Sequence, residues 1–215
     1  VTSAEPSPAL RVDARRNVDR IRAAAVEVFR EQGLAAPLEE VAAAARVSKA
    51  TIFNRFGGRI GVIDAVLDDL VAAELRDIVD DARSIAEIRE RICSYVGAIR
   101  DLQYRLPAVN DVLLQEFPDS EQLMNLCHVA GAFHDELVTD GRAAGVLAPG
   151  FTPGDFQALT RDNALALKHG GRPARTDYDR RTVFVLGGIC RAARPSAGPA
   201  DGARSPSTSP TAGAG

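Results

Sequence analysis

Apolar positions recur at three- and four-residue intervals along nearly the whole chain, and no stretch alternates at period two. The pattern predicts helices and no sheet. Val18, Ile21, Ala25, Val28 and Phe29 share one face of a first helix that Gly33 stops. Leu38, Val41, Ala42 and Ala45 give a second helix of barely two turns, with Pro37 where a missing N–H costs nothing. Ser48 is placed to cap a third helix carrying Ile52, Phe53 and Phe56, which Gly57 and Gly58 end. A fourth runs from Arg59 to about Asp81 with Ile60, Ile63, Leu67, Leu70 and Ile78 on one face. A fifth starts at Ser84, carries Ile85, Ile88, Ile92, Tyr95, Ile99, Leu102 and Leu106, and stops at Pro107. A sixth covers about 108–116, and Leu123, Leu126, Ala130, Phe133 and Leu137 mark a seventh. Thr152-Pro153-Gly154-Asp155 is a capped start for an eighth that ends near Gly170-Gly171. The ninth spans about 177–193 and carries Val183, Phe184, Leu186, Ile189 and Cys190.

The expected fold is therefore all-α: about nine helices, a three-helix head and a helical-bundle body. The expected boundaries are a flexible arm at 1–12, the head at 13–58, the body at 59–195 and a disordered tail at 196–215. After Pro195 the chain is Ser, Pro, Ala, Gly and Thr, which bury too little apolar area to offset the entropy of ordering.

Charge sharpens this division. Of 26 Lys+Arg and 29 Asp+Glu, residues 1–60 hold 10 basic and 7 acidic, so a basic head sits on an acidic body. That polarity directs the head toward a polyanion. The longest charge-free stretch, residues 122–134, is 13 residues, short of the roughly 20 that a membrane helix needs. Three widely spaced cysteines and the absence of a basic-then-apolar start give the expectation of a cytoplasmic chain with reduced thiols.

Residues 38–56, LEEVAAAARVSKATIFNRF, have the pattern of a helix-turn-helix, with a tight turn at Ala45-Arg46-Val47 and a polar second helix. Such a helix enters the major groove while neighbouring amides and basic side chains hold phosphates. Small or polar residues are needed where it meets DNA, and Ser48, Lys49, Ala50, Thr51, Asn54 and Arg55 meet that need. Ile52 and Phe56 fall on the side facing the head's core. Arg15, Arg16 and Arg20 are candidates for a minor-groove arm or a solvated helix end.

Residues 17–63 resemble the N-terminal DNA-binding domain of the TetR family of bacterial transcriptional regulators. The resemblance rests on Ile21, Ala24-Ala25, Phe29 and Gly33, on Val41-Ala42, and on the run Val47 to Phe56. It implies a homodimer whose heads each read half of a near-palindromic double-stranded DNA operator, with a body that binds a small molecule and dimerises through its last two long helices. Residues 133–193 also resemble a C-terminal domain common among actinobacterial members. Arg46 stands where the family usually has Gly, Phe53 where it has Tyr, Arg59 where it has Lys, Ile60 where it has Glu and Pro37 where it has Ser or Thr. The resemblance carries DNA contact to Arg46, Phe53 and Arg59 beside the helix-turn-helix residues already named.

In the body, Tyr95, Tyr104, Phe117, Met124, Cys127, His128 and Phe133 are candidate linings of a ligand pocket between the fifth, sixth and seventh helices, with His128 and Tyr104 as polar anchors. The mostly apolar body suggests a hydrophobic or aromatic effector. Phe156, Leu159, Phe184, Leu186 and Ile189 are candidate dimer contacts, where Gly187-Gly188 allows close approach. Cys127, His128 and His134 share one helix, but adjacent residues do not share a face and no His-Glu-x-x-His motif occurs. No metal, no cofactor and no enzymatic reaction are expected. The expectation is a ligand-released repressor, against an activator or partner-controlled regulator that the same residues allow, and a helical carrier without operator affinity.

Overall fold

The computed structural model describes the backbone of residues 8–189 and the side chains of residues 15–189. Among the described residues every regular element is helical. The head comprises α1 (Pro8–Gln32), α2 (Leu38–Ala44) and α3 (Lys49–Phe56). One continuous helix follows, α4, built of Arg59–Leu67, a π turn at Asp68–Ala72, and Ala73–Ser84. The body continues through α5 (Ile88–Arg105), α6 (Pro107–Leu113), α7 (Glu121–Ala143), α8 (Pro153–His169) and α9 (Arg175–Ile189).

Several boundaries differ from the expected ones for local reasons. Residues 8–12, expected in a flexible arm, belong to α1, where Pro8 takes the first position and Ala9 and Leu10 are good helix formers. α4 reaches Ser84, and α5 starts only at Ile88. Ile85 is extended (φ −81, ψ 118), and the Glu87 carboxylate caps α5 by accepting the Arg89 and Glu90 amides at 3.0 and 2.6 Å. Pro107 opens α6 as well as closing α5, and α6 stops at Leu113 because Gln115 turns left-handed at φ 55. The α8 start is as expected, with the Asp155 carboxylate accepting the Thr152 amide at 2.6 Å and its hydroxyl at 2.7 Å. Residues 1–7, the tail at 196–215, Cys190 and the expected end of the last helix lie outside the described residues.

Head and body share one apolar core. Ile21, Phe29, Leu34, Val41 and Ile52 in the head continue through Val62, Ile63, Val66 and Leu70 of α4 into Ile92, Leu102, Val109, Leu123, Phe133 and Phe156. Continuous burial of this kind stops the head from swinging freely on a linker. A polar layer locks the far side: Asn163 donates to Gln103 Oε1 at 2.8 Å, Gln103 to the Thr160 carbonyl at 2.9 Å, and the Tyr178 hydroxyl to the Arg100 carbonyl at 2.7 Å. It ties α5, α8 and α9 into one block.

The turn joining α1 to α2 is held from two sides. Arg59, at the start of α4, donates to the Leu34 and Ala36 carbonyls at 2.6 and 2.7 Å. Asp111, on α6 and only 3% exposed, accepts the Leu34 amide at 2.5 Å and also accepts from Lys168 of α8, which bonds Glu116 as well. Burial pushes the Asp111 carboxyl above its usual value, against the pull of Lys168 and the Leu34 amide. Gly33 (φ 86) approaches this carboxylate so closely that an added Cβ would lie 2.6 Å from Oδ2. Gly145 has a similar φ of 68 with nothing within 4 Å of such a Cβ. Gly145→Ala should therefore cost about 1 kcal/mol of backbone strain, and Gly33→Ala about 3 kcal/mol once the clash is added. Urea melts of both variants measure this, and equal losses would mean that Asp111 yields at no cost.

Candidate nucleic-acid interface and ligand cavity

The helix-turn-helix is built by a Schellman closure of α2. The Arg46 amide donates to the Ala43 carbonyl at 3.0 Å and the Val47 amide to the Ala42 carbonyl at 2.9 Å. This closure requires a left-handed residue, and Arg46 adopts φ 54, at a cost of about 1–2 kcal/mol compared with the glycine usual there. Ser48 then caps α3, its Oγ accepting the Thr51 amide at 3.2 Å. Ile52 is fully buried and Phe56 packs against the same core, so the opposite face of α3 is directed outward by the helical period.

On that face Ser48, Lys49, Ala50, Phe53, Asn54 and Arg55 are all exposed, and Arg46 stands exposed at its edge. Arg46 and Arg55 have no partner among the described residues, so their guanidinium groups are available. Lys49 bonds Glu39 and lies 5.9 Å over the Phe53 ring. The Lys49 hydrogen bond holds the Glu39 carboxylate below its usual value. Such a surface pair is worth little and yields readily to a phosphate. Two residues depart from the expected picture. Thr51 is half-buried with its hydroxyl 2.9 Å from Ser48 Oγ, and Arg59 is half-buried and bonded to the α1–α2 turn. Along α1, Arg15, Arg16 and Arg20 are exposed, and Arg20 shares a shallow cleft with Arg46.

The body encloses a cavity of about 230 Å³ between α4, α5, α6, α7 and α8. Leu75, Val79, Ile99, Val112, Leu126 and Ala130 supply most of its apolar wall. Of the expected lining, Tyr95 and Cys127 are in the wall. His128, expected as the anchor, is exposed, because it lies two residues from both Leu126 and Ala130, about 200° round the helix from each. His134 takes the place: it is 4% exposed and lies 2.8 Å from the Tyr95 hydroxyl through Nε2. It is four residues from Ala130 and eight from Leu126, so the apolar stripe itself marked it as inward. Phe133 stands behind Tyr95 with ring centroids 5.0 Å apart. Tyr104 is drawn to the α8–α9 loop, donating to the Pro173 carbonyl at 3.0 Å, and Phe117 and Met124 pack against the core outside the wall. Burial pushes the Cys127 thiol up, keeping it protonated.

Of the residues expected at a dimer contact, Phe156 is 1% exposed and stacks on His134 at 5.4 Å, so it belongs to the protomer's own core. Leu159, Leu186 and Ile189 are half-buried. Phe184 is 72% exposed, beside Val183 at 66%, and Leu165 on α8 is 46% exposed.

Burial pushes the His134 imidazole down to about 4, with Asp135 opposing weakly. The unfolded chain takes up that proton near the ordinary value of 6.5 and the folded chain does not. Stability contributed by the neutral ring is complete above pH 6.5 and is lost as pH falls toward 4, about 3 kcal/mol in all. Urea melts at pH 7 and pH 4.5 should show this loss in the wild type, and it should be absent from the difference between the two pH values in His134→Leu. An unchanged pH dependence in the variant would place the imidazole in water.

Residues 21–66, about a fifth of the chain, match the family model for bacterial regulatory proteins of the tetR family. No curated protein matches the chain. Among solved structures, the ketosteroid transcriptional regulator KstR2 of Mycobacterium tuberculosis superposes with a TM-score of 0.57 at 20% identity, covering 83% of this chain and 96% of that one. The reduced form of NemR from E. coli gives 0.56 at 16% identity over 82% and 98% of the two chains. The transcriptional regulator FadR from Bacillus subtilis, solved with stearoyl-CoA, gives 0.56 at 16% identity over 79% and 97%. At these identities the three share the fold with this chain.

Proposed function

We propose that this chain, whose residues 21–66 match the tetR-family model and whose fold superposes on that of solved regulators, is a homodimeric transcriptional repressor released from a near-palindromic operator by a small apolar ligand. The observation that carries the reading is the outward face of α3, where Ser48, Lys49, Asn54 and Arg55 stand exposed on a helix anchored by buried Ile52. Lys49, Arg55 and Arg46 take phosphates and Asn54 a base edge. Phe184, Val183 and Leu165 form the dimer face, and Gly187 and Gly188, with open space above them, let a partner helix approach. The two recognition helices then sit about 34–36 Å apart to enter successive major grooves.

Two elements join the cavity to the head. α4 lines the cavity through Leu75 and Val79 and runs without a break to Arg59, which grips the α1–α2 turn. α6 lines it through Val112 and Leu113, next to Asp111, which grips the same turn. A ligand that fits the cavity better in one head orientation shifts the population toward it, and operator affinity falls by that differential affinity. The apolar lining supports an apolar effector; in the same fold, FadR was solved with stearoyl-CoA.

The test is a gel shift with DNA from upstream of the protein's own gene at several salt concentrations. Lys49→Ala and Arg55→Ala should each weaken binding on all sequences and reduce the salt slope by about 1, while Asn54→Ala should change the preferred sequence. Arg59→Ala, by contrast, should lower the melting temperature first. Unchanged affinity and slope in Lys49→Ala and Arg55→Ala would remove α3 as the DNA-reading element.

A further inference from the structure

We propose that the cavity selects an apolar molecule by one hydrogen-bond acceptor, a ketone- or ester-type carbonyl oxygen, received by the donor that Tyr95 and His134 leave unspent. This deepens the reading of the cavity as an effector site and rests on it. The two side chains are 2% and 4% exposed, and His134 Nδ1 has no hydrogen-bond partner among the described residues. Burial keeps the imidazole neutral near pH 7 and pushes the Tyr95 phenol up, so the phenol also keeps its proton. The pair therefore holds two hydrogen-bonding protons and shares one bond. If the phenol donates to Nε2, the imidazole N–H stands on Nδ1 without an acceptor. If Nε2–H donates to the phenol, the phenol O–H is left over. Either way one donor remains in an apolar wall, a costly arrangement that an acceptor from a ligand relieves.

The rings are held in place. Phe133 meets Tyr95 edge-on at 5.0 Å, and Phe156 stacks on His134 at 5.4 Å. Other polar groups of the wall are already engaged: the Thr160 hydroxyl donates to the Phe156 and Gln157 carbonyls at 3.1 and 2.9 Å, and the Cys127 thiol lies 3.6 Å from the Val112 carbonyl. At the rim, Arg76 is paired with Asp68 at 2.8 Å and Arg83 with Glu136 at 2.6 Å, and Asp80 adds a further negative charge. The rim thus offers no excess positive charge to an anionic ligand, and selection falls to the buried donor.

The test uses the full chain and two probes of equal shape, acetophenone and α-methylstyrene, in which a methylene replaces the carbonyl oxygen. By calorimetric titration acetophenone should bind the wild type about tenfold tighter, the value of one well-made buried hydrogen bond. Tyr95→Phe keeps an imidazole N–H and should keep the preference. Tyr95→Phe/His134→Leu removes both donors together, which leaves no orphan and should fold; there the preference should fall below about twofold with α-methylstyrene still bound. The carbonyl stretch of bound acetophenone should move to lower frequency in the wild type and in Tyr95→Phe, and stay at its apolar-solvent position in the double variant. Equal binding of the two probes to the wild type, or a preference that survives in the double variant, would overturn the inference while leaving the cavity as a ligand site. Binding of neither probe would overturn the cavity reading and the inference with it.

Discussion

A buried carboxylate does most to decide how this molecule is arranged. Asp111 sits almost wholly out of water, where an ionised group is tolerated only if its lone pairs are taken up. It meets that requirement with partners from separate parts of the chain, the Leu34 amide of the head and the Lys168 ammonium of α8. Removing Lys168 leaves the buried carboxylate without its counter-charge, a loss of about 3–5 kcal/mol for pairs of this kind. The close approach of Gly33 to this carboxylate belongs to the same accommodation. Because Val112 and Leu113 belong to the cavity wall, the residue that fixes the head is a covalent neighbour of residues that touch the cavity.

α4 provides the second connection, and it is not a uniform rod. Its π turn at Asp68–Ala72 lies between the head-facing segment and the cavity-lining segment, and Arg22 of α1 pairs with Asp69 there at 2.9 Å. Such a π turn is rare in globular helices and interrupts the regular α ladder between the two segments. Strain at the recognition end has a similar logic. Arg46 holds a left-handed backbone that glycine would adopt freely, and in return it sets a free guanidinium at the edge of α3.

The helical order was legible because long apolar stripes at period 3.6 leave little room for another reading, and the caps at Ser48 and Thr152 announced themselves by residue type. The left-handed Arg46 was signalled by the resemblance, which places Gly at that position. What escaped reading were choices among partners. Arg59 has the chemistry of a phosphate ligand, but its guanidinium donates to the Leu34 and Ala36 carbonyls of the α1–α2 turn. His128 and His134 are the same residue type on one helix, and only their offsets from Leu126 and Ala130 separate an exposed ring from a buried one. Phe156 and Phe184 are equally apolar, and which one faces a neighbouring helix and which faces outward depends on how α8 and α9 rotate, a tertiary matter that no single stripe encodes. Asp111 carried no signal, since one acidic residue in a short helix looks like any surface charge.

In the proposed function, filling the cavity is felt at the α1–α2 turn through α6. Hydrogen exchange of the Leu34 amide, followed in the full chain with and without saturating acetophenone, tests it most directly. The amide should be protected like the buried core when the cavity is unliganded, and its exchange rate should change on ligand binding together with those of the α6 amides. A Leu34 amide that exchanges like an exposed loop, or one indifferent to a ligand that demonstrably occupies the cavity, would contradict it.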